Sequence, residues 1–170
     1  ELGDLRRHVV DKLPPEEDAR HIIAMAACVG KVLGLKTLSA AVGLTRLELL
    51  RQLELIAEKT ALIRESRQQG DAYEFASVQA WYFVCDEFGI EPVPARGSDA
   101  PILAREYHAQ IAGVLAEQLN ESSESLGRAA LHYCAAGEAY QREAVDLCLR
   151  AAQAEASKFN FSGAQELLLL

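Results

Sequence analysis

TLSAAVGLTRLELLRQLELIAEKTALIRESRQQGDAYEFAS, residues 37–77, decides the fold. Thr37 to Val42 reads as a short apolar helix that stops at Gly43. Thr45 offers an N-cap hydroxyl and Glu48 follows three residues later, the spacing of a capping box. Leu47, Leu50, Leu53 and Ile56 then recur at helical intervals to about Lys59. A short helix, a turn around glycine and a longer amphipathic helix form a helix-turn-helix pattern. A β-hairpin is expected next. Ala61 to Glu65 is one strand, Arg67 to Asp71 the turn, and Ala72 to Ala76 the return strand, with Tyr73 and Phe75 on one face.

Upstream, Leu5 to Leu13 predicts a short helix halted by Pro14 and Pro15. Pro15 opens a second helix, with Glu16, Glu17 and Asp18 at its positive end. That helix carries Ile22, Ile23, Met25, Ala26 and Val29 and stops at Gly30. Leu33-Gly34-Leu35 reads as a break. Three helices with a hairpin wing make residues 1–77 a winged-helix-like module. Val78 to Phe88 predicts another helix, and Gly89 to Pro101 holds three of the five prolines, so residues 78–101 read as a helix and a Pro-rich linker. Four helices follow, over Ile102 to Leu119, Leu126 to Ala136, Tyr140 to Ala156 and from Phe159 to Leu170. Alanine fills many of their contact positions, which lets helices approach closely. Residues 102–170 are therefore expected to stack as antiparallel helix pairs of a TPR-like solenoid. The fold class is mainly α.

Charge divides unevenly. Residues 1–77 carry 11 Lys/Arg against 12 Asp/Glu, and residues 78–170 carry 6 against 13, for a net −8. Neither part resembles a surface built to neutralise phosphates. Cys28, Cys85, Cys134 and Cys148 stand alone among apolar or small residues, the habit of buried thiols in a reducing compartment. The start is too charged for a signal peptide, and no apolar run is long enough for a membrane span. The expected location is the cytoplasm, with no membrane partner. The chain begins at Glu1 without an initiator Met and stops within the apolar run Leu167 to Leu170, so it reads as a piece of a longer protein.

Four stretches together resemble a known family. Leu5-Arg6 through Leu13-Pro14, followed by Ile23 to Gly30 (IAMAACVG), is similar to an "R-L-x-x-L-P … A-A-V-L-G" opening. Leu38 to Leu44 (LSAAVGL) is similar to "L-A-A-L-L-G-L", and Ala130 to Gly137 (ALHYCAAG) to "A-x-H-Y-x-x-A-G". Ala144 to Ala152, then Phe161-Ser162-Gly163-Ala164, is similar to the repeat that follows. The order resembles the regulatory arm of STAND-type signalling ATPases: large ATP-binding LuxR-type transcription regulators and relatives found beside nucleotide cyclase and kinase domains. The resemblance implies an ATPase core upstream of Glu1, where ATP or ADP would bind, and no cofactor in this segment. It implies a winged helix packed on that core, and repeats that receive a ligand or protein partner. One position departs. Where the family has F-x-H, this chain has Phe75-Ala76-Ser77, and Ser77 cannot offer a cationic imidazole to a phosphate.

Candidate chemistry is sparse. There is no GxxxxGK[ST], HExxH or CxxC. His132 and Cys134 are two apart on a helix and face different ways. His8, His21 and His108 are isolated and read as satisfied or exposed rings. No catalytic or metal residue is assigned. The possible interaction residues are Trp81, Tyr82, Arg46, Arg51 and Arg64. Arg46, Arg51 and Lys59 on the longer helix, with Arg64 and Arg67 on the wing, admit DNA binding as a rival. Interleaved Glu48, Glu54, Glu58 and Glu65 weigh against it, because groove entry needs a positive face. Of Trp81, Tyr82 and Phe83, two are expected in the core and one against the linker. The favoured function is a non-enzymatic segment that relays signals through a protein partner or an intramolecular ATPase core. The alternatives are a DNA-binding winged-helix regulator and an accessory domain of a nucleotide cyclase or kinase.

Overall fold

The capping box at residues 45–48 forms. The Thr45 hydroxyl accepts from the Glu48 backbone N–H at 3.3 Å, and the Glu48 carboxylate accepts from the Thr45 N–H at 2.9 Å. It opens α4 (Arg46–Thr60), whose buried side is Leu49, Leu53, Ile56 and Thr60. The computed structural model describes residues 2–66, 72–92, 99–118, 122–158 and 160–169. The expected hairpin turn, Arg67 to Asp71, and residues 93–98 of the Pro-rich stretch lie outside them, as do the predicted helix ends Leu119, Phe159 and Leu170. The protein is mainly helical, and among the described residues no helix is long and apolar enough to cross a membrane.

The chain divides into two compact units, Glu1–Pro92 and Val93–Leu170. In the first, the elements run α1 (Leu2–Val10), α2 (Glu17–Val29), β1 (Val32–Leu33), α3 (Leu35–Val42), α4, β2 (Ile63–Glu65), β3 (Tyr73–Phe75) and α5 (Val78–Phe88). The three strands form an antiparallel sheet in the order β1-β3-β2. Leu33 pairs with Tyr73, and Ile63 with Phe75. The stretch expected to be a break around Leu33 thus carries a strand at its start. Two residues are too few to show a period of two, and the pairing partner lies far along the chain.

Gly43 closes α3 in the left-handed region at φ 69°, where a side chain would be strained. Ala61 closes α4 the same way at φ 54°, without glycine's freedom. Ser77 caps α5, its hydroxyl accepting from the Ala80 N–H at 3.0 Å. Phe75, Leu33, Ile23, Leu38, Leu49, Leu53 and Val84 are fully buried. α5 packs on α1, α2 and β3, so it completes the first unit.

The second unit is α6 (Ile102–Glu117), α7 (Ser123–Ala136), a 3-10 turn (Glu138–Tyr140), α8 (Gln141–Ser157) and α9 (Phe161–Leu168). Each helix packs on the next. Contacts fix the directions. His108 of α6 meets His132 of α7, while Arg105 lies beside Gly137 at the far end of α7. Ser123 at the start of α7 bonds Glu155 and Lys158 at the end of α8. Both neighbouring pairs are therefore antiparallel. Leu126, Ala129, Ala130, Leu147, Cys148 and Ala151 pack together, with Leu115, Tyr133 and Leu167 against them. Small residues bring the helices close: a Cβ on Gly127 would come within 3.3 Å of the Leu167 side chain.

Candidate functional site

α4 faces outward along one ridge. At 100° per residue, Leu47, Arg51, Glu54, Leu55 and Glu58 lie opposite Leu49, Leu53 and Ile56. All five are exposed, Leu47 by 59% and Leu55 by 49%. Beside the ridge, α4 and the β2–β3 pair enclose a groove of about 580 Å³. Arg46, Leu47, Leu50, Arg51 and Glu54 line it from the helix, and Glu65 and Tyr73 from the strands. Burial, then the carboxylates of Glu65 and Glu54, push the Tyr73 phenol above its ordinary range. One end of the groove is therefore cationic, through Arg46 and Arg51, and the other anionic, through Glu54 and Glu65.

The neighbouring cations are already engaged. Arg64 donates to Glu74 from Nε at 3.0 Å, with its Nη2 at 2.9 Å from the same oxygen. That hydrogen bond holds the Glu74 carboxyl below its usual range. Lys59 reaches Glu16 at 2.9 Å. The Thr45 hydrogen bonds hold the Glu48 carboxyl below its usual range, and Arg51 adds to the effect.

The structure brings Arg46 and Arg51 together at the groove and sets Arg64 in a pair on the sheet. The aromatics sit elsewhere, on α5. Trp81 is half-buried and donates from Nε1 to the Ala27 carbonyl at 2.9 Å, tying α5 to α2. Tyr82 is exposed, its ring 5.1 Å from that of Trp81. Ser77 has its own employment as the α5 cap, so its hydroxyl serves the backbone.

Two features escape a reading of the sequence. His108 and His132 are buried and share a hydrogen bond between their Nδ1 atoms at 2.9 Å, one donating and one accepting. Burial lowers His108 to about 4 and His132 to about 3, and for His132 the His108 ring and Arg128 add to the effect. Their signal was position: each stands in an apolar helical row, His108 between Ala104 and Ile111, His132 between Ala129 and Ala136. The second feature joins three helices of the second unit. Glu155 accepts from Ser123, Asn160 and Lys158, and the Ser123 bond leads the causes that hold its carboxyl near 2.

All four cysteines are free thiols. Burial pushes Cys85 to about 12 and raises Cys28 further still, so neither is a thiolate at neutral pH. No family model, curated protein or solved structure matches the chain.

Proposed function

We propose that the chain is a non-catalytic regulatory and protein-interaction segment of a larger cytoplasmic signalling ATPase. In this reading the first unit is a winged-helix module that binds protein. The second begins a TPR-like array, and together they relay partner or ligand binding to an upstream nucleotide-binding core. The element order α2-β1-α3-α4-β2-β3 with sheet order β1-β3-β2 supports the winged helix: the longer helix of a helix-turn-helix pair is followed directly by the hairpin, and a short strand before it closes the sheet. Antiparallel neighbours with alanine and glycine at their contacts support the array.

The observation that carries the protein-binding reading is the outward ridge of α4. A helix that enters the major groove presents cations and hydrogen-bond donors. This one presents Leu47 and Leu55 with a single arginine between them, and Glu54 and Glu58 beside them. Exposed leucines on a mixed-charge ridge suit a protein surface. Cys28 and Cys85 are buried, and burial raises both thiols, so neither offers a thiolate nucleophile at neutral pH.

Titration of labelled duplex DNA with the protein at low salt, followed by anisotropy, tests it. Low salt is where a phosphate-neutralising surface binds most tightly. No binding is expected, and tight, sequence-dependent binding would overturn the reading. ATP or ADP should leave the emission of Trp81 unchanged; a quench would contradict the placement of nucleotide binding in another domain.

A further inference from the structure

We propose that Tyr140 and Glu143 of the second unit receive an arginine side chain from a basic segment of a partner protein. The inference rests on the partner-binding reading of that unit and names the partner's chemistry.

A pair of stacked rings carries it. Tyr133 of α7 and Tyr140 at the end of the 3-10 turn have ring centroids 5.6 Å apart and planes 26° from parallel. Both are half-buried. Tyr133 packs on the buried cluster of Leu126, Ala130 and Leu147, so Tyr140 is the outer ring of the pair. Glu143 follows Tyr140 by three residues, in the first turn of α8, which sets the two on one side. Burial leads the causes that push the Tyr133 phenol above its ordinary range, and the Glu143 carboxylate comes next, ahead of Tyr140 and Glu117. Two phenols and a carboxylate thus converge from α7, the 3-10 turn and α8.

The cations of the unit leave this corner unpaired. Glu143 and Glu117 hold no ion pair among the described residues. Arg142 directly precedes Glu143, so it lies about 100° round α8 from it. Arg150 reaches Asp146 at 3.6 Å. Arg105 packs on Gly137 and pairs with neither carboxylate. Arg128 lies about 140° round α7 from Tyr133 and acts on His132. An aromatic face beside an unpaired carboxylate is complementary to a cation.

The arrangement favours arginine over lysine. A guanidinium is planar, so it stacks on the exposed part of the Tyr140 ring while its N–H fork reaches the Glu143 carboxylate. An ammonium is a compact, strongly hydrated charge with no flat face. Tyr140 is half-buried and Glu143 exposed, so each contact is modest, about threefold in affinity.

Anisotropy of a fluorescein-labelled hexa-arginine peptide titrated with the full chain tests the proposal, with labelled hexalysine for comparison. Saturable binding is expected, about threefold tighter for the arginine peptide. Glu143→Gln and Tyr140→Leu should each weaken it about threefold, and Tyr140→Phe, which keeps the ring, should not. Glu166→Gln makes the same charge change on an exposed residue of α9 and should weaken binding by less than about twofold. Circular dichroism should show the fold intact in every variant. Equal affinity for the two peptides, or no binding of either, overturns the arginine site. So does a Glu166→Gln variant as weak as Glu143→Gln, or a Tyr140→Phe variant as weak as Tyr140→Leu. Any of these leaves the partner-binding reading standing, whereas tight, sequence-dependent DNA binding would remove that reading itself.

Discussion

His108 and His132 show how a residue's surroundings decide its chemistry. Buried against each other, they share one hydrogen bond as neutral rings. Their folded pKa values, about 4 and about 3, lie below the ordinary 6.5. The unfolded chain therefore binds protons first as pH falls. The stability they support is whole above about pH 6.5 and declines as pH drops toward 4 and then 3. At about 1.4 kcal/mol per pKa unit, the loss by pH 4 is on the order of a few kcal/mol. Urea denaturation followed by circular dichroism from pH 7 to pH 4 should show that decline, and a double His108→Gln, His132→Gln variant should flatten it. Ala61 offers a second prediction. It holds φ 54° at the end of α4, where only glycine is at ease. Ala61→Gly should stabilise the protein by about 0.5–1 kcal/mol, read as a higher urea midpoint. Of these residues the sequence made only part legible. Isolated histidines look alike until two helices bring them together, because pairing depends on the register of α6 against α7.

Elements were more legible than residues wherever local chemistry set their ends. Thr45 and Glu48 marked the start of α4, and Gly43 and Gly89 marked the ends of α3 and α5. The cap also has a measurable weight: Thr45→Ala should cost about 1 kcal/mol in a urea melt, because it leaves the Glu48 N–H without its acceptor. Leu53, fully buried on the inner face of α4, should cost about 2–5 kcal/mol as Leu53→Ala. β1 was not legible, since its extent is defined by β3 and not by its own two residues. The α4 ridge was half legible. Its charges could be counted in the chain, but the pairing of Arg64 with Glu74 and of Lys59 with Glu16 could not. Ser77 is the reverse case. Its position was singled out for a histidine it lacks, and the structure gives the serine a local reason to be there, as the α5 cap.

At the scale of the whole chain, the two units reached their architecture by different routes, and this has a kinetic consequence. The second unit is wired locally: α6 meets α7, α7 meets α8 and α8 meets α9. The first cannot finish until Leu33 finds Tyr73 across the helix-turn-helix pair and the hairpin. Closing that span costs chain entropy before the sheet repays it. Refolding from urea should therefore occur in two steps. Far-UV circular dichroism should recover much of its amplitude early, as neighbouring helices zip together. Trp81, the only tryptophan and anchored to Ala27 inside the first unit, should report the later step. Stopped-flow traces with the same rate at both wavelengths would contradict this. The wiring that makes α6 to α9 quick to assemble also lets them loosen from one end, one helix at a time, whereas the sheet ties the first unit into a body that opens all at once.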